Sequence, residues 1–366
     1  MKIPLIKPFI NAETKAKVSE VLDSGYLTEG PVTKELEKAF KDYIGSQYAI
    51  AVSNCTVGLE TALRSLGIGP GDEVIVPDYT YPATASVVNI VGAKIVLVDI
   101  NKDSMLVDYD AVIKAINPNT KAVIPVSIFG NPLDYDKLDA IKNEHDLFII
   151  EDAACSIGAV YNNKKVGNIA DISVFSLHPR KFITTGEGGI ITTNSIKWAD
   201  WIESYKHFGM DSVSSRASTI FKQIGTNYKL SNIQAAVGLT QMKQIDILLK
   251  RRSEIADRYI NKLMNIEGVI LPVITSNGQS SYQSFCVFVE NRDDMIRELR
   301  AKGIETQIGT YSLHMHPAFS DNSNCRTSGH LQNSRFAFDH CLTLPMYHDM
   351  TIAEQDYVVQ QLAQFI

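Results

Sequence analysis

No stretch of the chain approaches the ~20 consecutive apolar residues that a membrane-spanning helix requires, so an integral helical membrane protein is not the expectation. The opening segment, M-K-I-P-L-I-K-P-F-I, is apolar but is broken by Pro4, Lys7 and Pro8, too soon for the core of a secretory signal. Cysteine is scarce. The five present, Cys55, Cys155, Cys286, Cys325 and Cys341, are odd in number, widely spaced and lack a C-x-x-C pair, which argues against a disulfide scaffold or a structural zinc site. Such usage suits a reducing cytosol, and a cytoplasmic location is expected. Positive charge is not in excess either: 35 Lys and Arg stand against 41 Asp and Glu, for a net charge of −6. The basic residues are scattered, so neither nucleic acid nor a membrane surface is an expected partner. Internal repeats and low-complexity segments are absent.

What is present is an ordinary globular composition, 366 residues with 45% hydrophobic and 21% charged, enough for one large domain and a smaller one. Asn11 followed by A-E-T-K-A-K-V-S-E-V-L-D and Gly25 has a helix's cap, period and stop, and residues 33–43 repeat the pattern after Pro31. From residue 48 apolar runs and helical patterns alternate. Strands are expected at 48–52, in E-V-I-V-P, and at 94–98, 121–126 and 147–150, with helices through Gly67 and at 108–116 and 134–144. This alternation implies an α/β fold with a mostly parallel sheet, flanked by helices, whose ligand sits at the carboxyl ends of the strands. A helix is expected over 198–208, and a long one from S-N-I-Q-A-A-V-G through Lys250. The boundary expected is residues 1–249 for the large domain and 250–366 for a smaller α+β domain, joined by that helix.

Chemistry concentrates in D-I-S-V-F-S-L-H-P-R-K-F-I-T-T-G-E-G-G-I-I-T-T, residues 171–193. Two strand-like runs flank a glycine-punctuated loop carrying Ser176, His178, Lys181 and Glu187. By itself Lys181 reads as a solvated loop lysine. The carboxylate of Asp152, closing the buried run 147–150 within E-D-A-A, changes that reading. A lysine amine able to form a Schiff base and an acid able to keep a pyridinium nitrogen protonated suit a pyridoxal phosphate (PLP) enzyme. Upstream, S-N-C-T-V-G-L-E passes from a strand straight into a helix. It is neither a Walker loop nor G-x-G-x-x-G, but a helix start offers unpaired N–H groups, so Thr56 and Val57 can hold a phosphate there; a plain cap by Asn54 or Thr56 is the alternative.

The strings E-D-A-A, F-S-L-H-P-R-K and T-T-G-E-G-G, in this order, resemble the DegT/DnrJ/EryC1/StrS family of sugar aminotransferases, within the fold-type I, aspartate aminotransferase-like PLP enzymes. The likeness runs from G-Y-L-T-E-G-P to L-T-L-P-M-Y, almost the whole chain. It implies that Lys181 holds PLP, that Asp152 faces its ring nitrogen, and that Tyr81 covers the ring face, where a core-packing tyrosine is the alternative. It also implies that Thr56, Val57 and Ser176 hold the phosphate, and that Asn227 reaches the phosphate of a partner subunit, making a homodimer with shared sites; read alone, Asn227 is a turn residue. Cys155 stands where relatives often carry His or Gln near the cofactor's phenolic oxygen; read alone it is a buried apolar cysteine. Lys229 stands where relatives often carry Arg, supplying charge without a bidentate grip.

Tyr26, His178, Tyr311 and His314 are the remaining candidates for the substrate pocket, with Tyr26 otherwise a packing aromatic. His314 and His316 form an H-x-H, but no third ligand is recognisable and no metal is expected. The activity implied is transfer of an amino group from L-glutamate to a keto-sugar, nucleotide-linked, for amino-sugar or surface-polysaccharide synthesis. A sugar dehydratase on the same scaffold is the competing enzyme, but in that branch of the family a His replaces the lysine. A non-catalytic regulatory homologue would be expected to have lost Lys181 or Asp152, and both are present.

Overall fold

The computed structural model describes residues 2–211 and 218–366. The apolar runs become one eight-stranded sheet. Its strands are β1 (Tyr48–Val52), β2 (Glu73–Pro77), β3 (Lys94–Val98), β4 (Thr120–Val123), β5 (Phe148–Asp152), β6 (Ile172–Ser176), β7 (Gly189–Thr193) and β8 (Cys325–Ser328), in the spatial order β1-β7-β6-β5-β4-β2-β3-β8. Strand β7 runs against β1 and β6, and every other pairing in this sheet is parallel. Both faces are apolar because helices cover both. On one face Ile75, Val96, Val98, Val123 and Ile149 pack with Leu36, Phe40 and Ile44 of α2 (Pro31–Ile44), which follows α1 (Ala12–Ser24). On the other, Val74, Val76, Ile95 and Leu97 pack with Leu59, Ala62 and Leu63 of α3 (Cys55–Ser65) and with Val87 and Val88 of α4 (Ala83–Ile90). Each Val, Leu, Ile or Phe side chain among these taken out of water contributes about 1.5–3 kcal/mol.

A second core surrounds a three-stranded antiparallel sheet, Phe285–Phe288, Cys341–Leu344 and Gln307–Ile308, covered by helices Arg292–Ala301 and Ile352–Phe365. The long helix expected from residue 232 through Lys250 is instead two, α5 (Asn232–Met242) and α6 (Ile245–Leu263). The end of α5 tightens to an i−3 bond, Gln244 N to Gln241 O at 2.9 Å, before α6 starts afresh. Within α6, Ile245 and Leu248 join the core of the large sheet, while Ile255, Ala256, Tyr259 and Leu263 join the second core. We propose the 249/250 boundary as this change of core partner. Residues beyond it also return to the large domain: Cys325–Ser328 joins the large sheet as β8, and Tyr311–Ser312 pairs with Tyr79–Thr80 in a separate two-stranded sheet. Among the described residues no helix is long and apolar enough to cross a membrane.

Candidate active site

The antiparallel turn from β6 into β7 creates the loop that carries Lys181. Leu177 N donates to Gly188 O at 2.9 Å, Thr185 N to Leu177 O at 3.0 Å, and Lys181 N to His178 O at 2.8 Å. Gly189 lets β7 approach the start of α3. A Cβ there would lie 2.8 Å from the Asn54 carbonyl carbon and 2.9 Å from Cys55 N. The helix start and the lysine loop are thereby pressed together.

Asp152 ends β5 and is 5% exposed. Its Oδ2 accepts from Thr84 Oγ1 at 2.8 Å and its Oδ1 from Ala154 N at 3.1 Å. Burial pushes its carboxyl above the usual range, partly offset by those donors and by the charge of Lys181. Its neighbour Glu151 is bonded elsewhere, to Ser127, to Tyr135 Oη at 2.6 Å and to Ser173 Oγ at 2.9 Å, which anchors the strand end. Lys181 Nζ lies 2.9 Å from Cys155 Sγ. Burial pulls the ammonium down, but Cys155, Cys55 and Asp152 more than reverse this, leaving it raised.

These residues fit PLP. Both oxygens of Asp152 accept hydrogen bonds from neutral donors only, so a pyridinium N–H would add a directly bonded cation to the more general charge of Lys181. At α3, Asn54 Oδ1 accepts from Val57 N at 3.0 Å, so the cap and the anion site share that amide, while the other first-turn N–H groups have no intrahelical acceptor. Tyr81 is 66% exposed, its ring 6.4 Å from that of Tyr311. Ser176 ends β6, and its Oγ accepts from His178 N at 3.3 Å. Burial lowers the pKa of His178, whose Nε2 is 3.9 Å from Glu187 Oε1.

The Tyr79–Thr80 pairing draws residues 311–316 over this end of the sheet. His314 Nδ1 there meets Asp78 Oδ2, while the His316 ring stands edge-on to Tyr311 and Phe338. The two histidines therefore do not converge. Other candidates have partners of their own. Asn227 Oδ1 accepts from Lys229 Nζ, which also lies 4.9 Å over the Phe208 ring, and Tyr26 is held through its carbonyl by Asn232 Nδ2 at 3.0 Å.

Cys155 is not the buried apolar cysteine of the sequence reading: it is only partly buried, and its sulfur contacts the lysine amine. Thr84, Asp78, Gln241 and Gln283 were not singled out from the sequence, because nothing within a few residues of any of them signals its distant partner.

A model of the DegT/DnrJ/EryC1/StrS aminotransferase family matches residues 8–363. The spore coat polysaccharide biosynthesis protein SpsC of Bacillus subtilis is 33% identical, with 100% of this chain and 97% of that protein covered. Among solved structures, Spr1654 of Streptococcus pneumoniae superposes with a TM-score of 0.94 at 29% identity, covering 100% of this chain and 97% of that one, and is also known in PLP and PMP forms. DesV of S. venezuelae, solved with a ketimine intermediate, gives 0.91 at 31% identity over 100% and 98% of the two chains. With likeness of this extent in both sequence and fold, the chain belongs to the DegT/DnrJ/EryC1/StrS family of PLP-dependent sugar aminotransferases.

Proposed function

We propose that this sugar aminotransferase takes its amino group from L-glutamate and passes it to a nucleotide-linked keto-sugar in amino-sugar or surface-polysaccharide synthesis. The observation that carries the reading is the placement of Lys181 on a tightly bonded loop, with its amine 2.9 Å from Sγ of Cys155, three residues past the buried Asp152. When bound, PLP supplies an electron sink for the bond to be broken. Lys181 would hold the bound cofactor at rest, and its freed Nζ would be the base that takes a proton from the substrate carbon and the acid that gives it back. Asp152 would keep a positive charge on the ring nitrogen, which sustains the cofactor's electron-withdrawing power. Thr56, Val57 and Ser176 would bind the phosphate, and Tyr81 would cover the ring and exclude water from that face. His178, Lys229, Tyr26, Tyr311 and His314 line the substrate side.

We further propose a homodimer in which Asn227 serves the partner's phosphate. Supporting this, Ile220, Phe221 and Ile224 near Asn227 are exposed, Ile224 by 97%, as suits a surface covered by a second copy. A cytosolic setting agrees with five unpaired thiols. The test is optical and chemical: the purified PLP enzyme should be yellow and should bleach with glutamate, and only certain keto-sugars from a panel should restore the colour. A yellow enzyme that glutamate leaves unchanged would remove glutamate as the donor.

A further inference from the structure

A side-chain amide brackets Lys181. Gln283, 4% exposed and 101 positions away from Phe182, accepts from Phe182 N through Oε1 at 3.2 Å and donates from Nε2 to Arg180 O at 2.9 Å. These are the backbone groups on either side of the lysine. A carboxamide places one acceptor and one donor side by side, the arrangement this pair of backbone groups requires. Gln241 makes the same double contact two residues further on, accepting from Thr184 N at 3.0 Å and donating to Thr184 O at 2.7 Å. The two amides supply partners that a loop without a strand ladder would otherwise lack.

Gln283 is itself held on several sides. Arg252, 2% exposed, donates from Nη2 to Gln283 O at 2.6 Å and from Nε to Tyr282 O at 2.8 Å, with its guanidinium 5.2 Å from the centre of the Phe182 ring. Among the described residues no ion pair with a carboxylate is formed by it, and burial alone pushes its pKa down to about 9, so at neutral pH it stays cationic. Gly130 permits the close approach: a Cβ there would lie 2.8 Å from Tyr282 N and 2.9 Å from Gln283 N. A fully buried cation is thus committed to fixing residues 282 and 283.

We propose that Gln283 is a positioning residue for Lys181, with Arg252 as its anchor on α6, so that the lysine's main chain stays fixed while Nζ swings between holding the cofactor and moving a proton. The proposal rests on Lys181 being the cofactor-bearing lysine. Misplacement of a reacting group by ~1 Å can cost on the order of a hundredfold in rate.

The test uses the PLP-loaded enzyme and the variants Gln283→Leu and Gln283→Glu. Leucine removes both contacts, so kcat should fall about ten- to a hundredfold with KM for the donor changed less than about twofold, and the pH at which the bound cofactor's colour titrates should move. A protonated glutamic acid presents one donor and one acceptor like the amide, whereas its ionised form presents two acceptors to the Arg180 carbonyl. Relative to wild type, Gln283→Glu should therefore be most active at low pH and lose rate as pH rises through the buried acid's titration, between about pH 6 and 9. A folded Gln283→Leu variant with wild-type kcat and colour titration would overturn the proposal. If that variant does not fold, a Gln283→Glu rate that keeps a constant ratio to wild type across the same range overturns it instead. Borohydride reduction of the wild-type enzyme separates the two ideas: an adduct on another lysine removes the reading of Lys181, while an adduct on Lys181 with unaffected variants removes only the role of Gln283.

Discussion

His314 Nδ1 sits 2.7 Å from Oδ2 of Asp78, a carboxylate with no exposed surface, and the other oxygen, Oδ1, accepts from the backbone N of His314 at 2.7 Å. Ser312 Oγ donates to the same carboxylate at 2.6 Å. One buried acid directly after β2 thus ties down the loop proposed to meet the sugar. With Nδ1–H donated to Asp78, Nε2 of neutral His314 is the ring nitrogen left to accept from a hydroxyl.

The hydrogen bond to Asp78 raises the pKa of His314 above its usual value, against the effect of burial. A histidine raised on folding adds stability that is fully present below its unfolded pKa of about 6.5 and fades as pH rises through the raised value. Asp78→Asn should bring the His314 titration, followed by NMR, down toward the ordinary value and remove that part of the pH dependence of Tm. An unmoved His314 titration in the folded variant would contradict the assignment.

Lys181→Ala should abolish turnover, since both the attachment of the cofactor and the proton transfer depend on Nζ. Reduction of the resting enzyme with borohydride, followed by tryptic mapping, should place the adduct on the peptide containing Lys181.

Asp152→Asn keeps the shape and removes the anion. Activity should drop by on the order of a hundred- to a thousandfold in a folded protein, the scale of losing a group aimed at developing charge. In the apoprotein the acid's pKa is raised by burial, so it favours the folded state at low pH and this contribution is lost as pH rises through the raised value. Binding of a pyridinium cation reverses the preference. The Tm gain on adding PLP should therefore grow with pH over that window in wild type and stay flatter in Asp152→Asn, a comparison thermal unfolding can make directly.

Lys181→Ala and Asn227→Asp, each inactive alone, should complement when mixed and re-equilibrated. One site of a mixed dimer then carries both lesions and the other neither, so activity should approach one competent site per heterodimer. Heterodimers that form by size but stay as inactive as the separate mutants would confine Asn227 to its own subunit.

The parts legible in the sequence were those written in local order. Asn11 accepts from Thr14 N and Asn54 from Val57 N, each three residues on, and Gly25 ends α1 with φ 68°. Apolar runs of strand length marked most of the sheet, because a strand covered on both faces must be apolar throughout. Asp152 could be singled out because an acid closing a buried apolar run is unusual, and it changed the reading of Lys181, which by itself is an ordinary loop lysine. Strand β8 was not legible: Cys-Arg-Thr-Ser is short and mostly polar, and it is a strand because β3 offers it an edge.

What the chain's order alone determined, then, was an α/β sheet with a lysine and a carboxylate at its strand ends, and through its motifs a family. Tertiary structure decided which groups hold them: Thr84 on Asp152 across 68 positions, Gln283 on Phe182 across 101, and His314 on Asp78 across 236. The physical reason is that a hydrogen bond needs two groups within about 3 Å at a suitable angle, and for partners so far apart along the chain that proximity arises only when the sheet and both cores have packed.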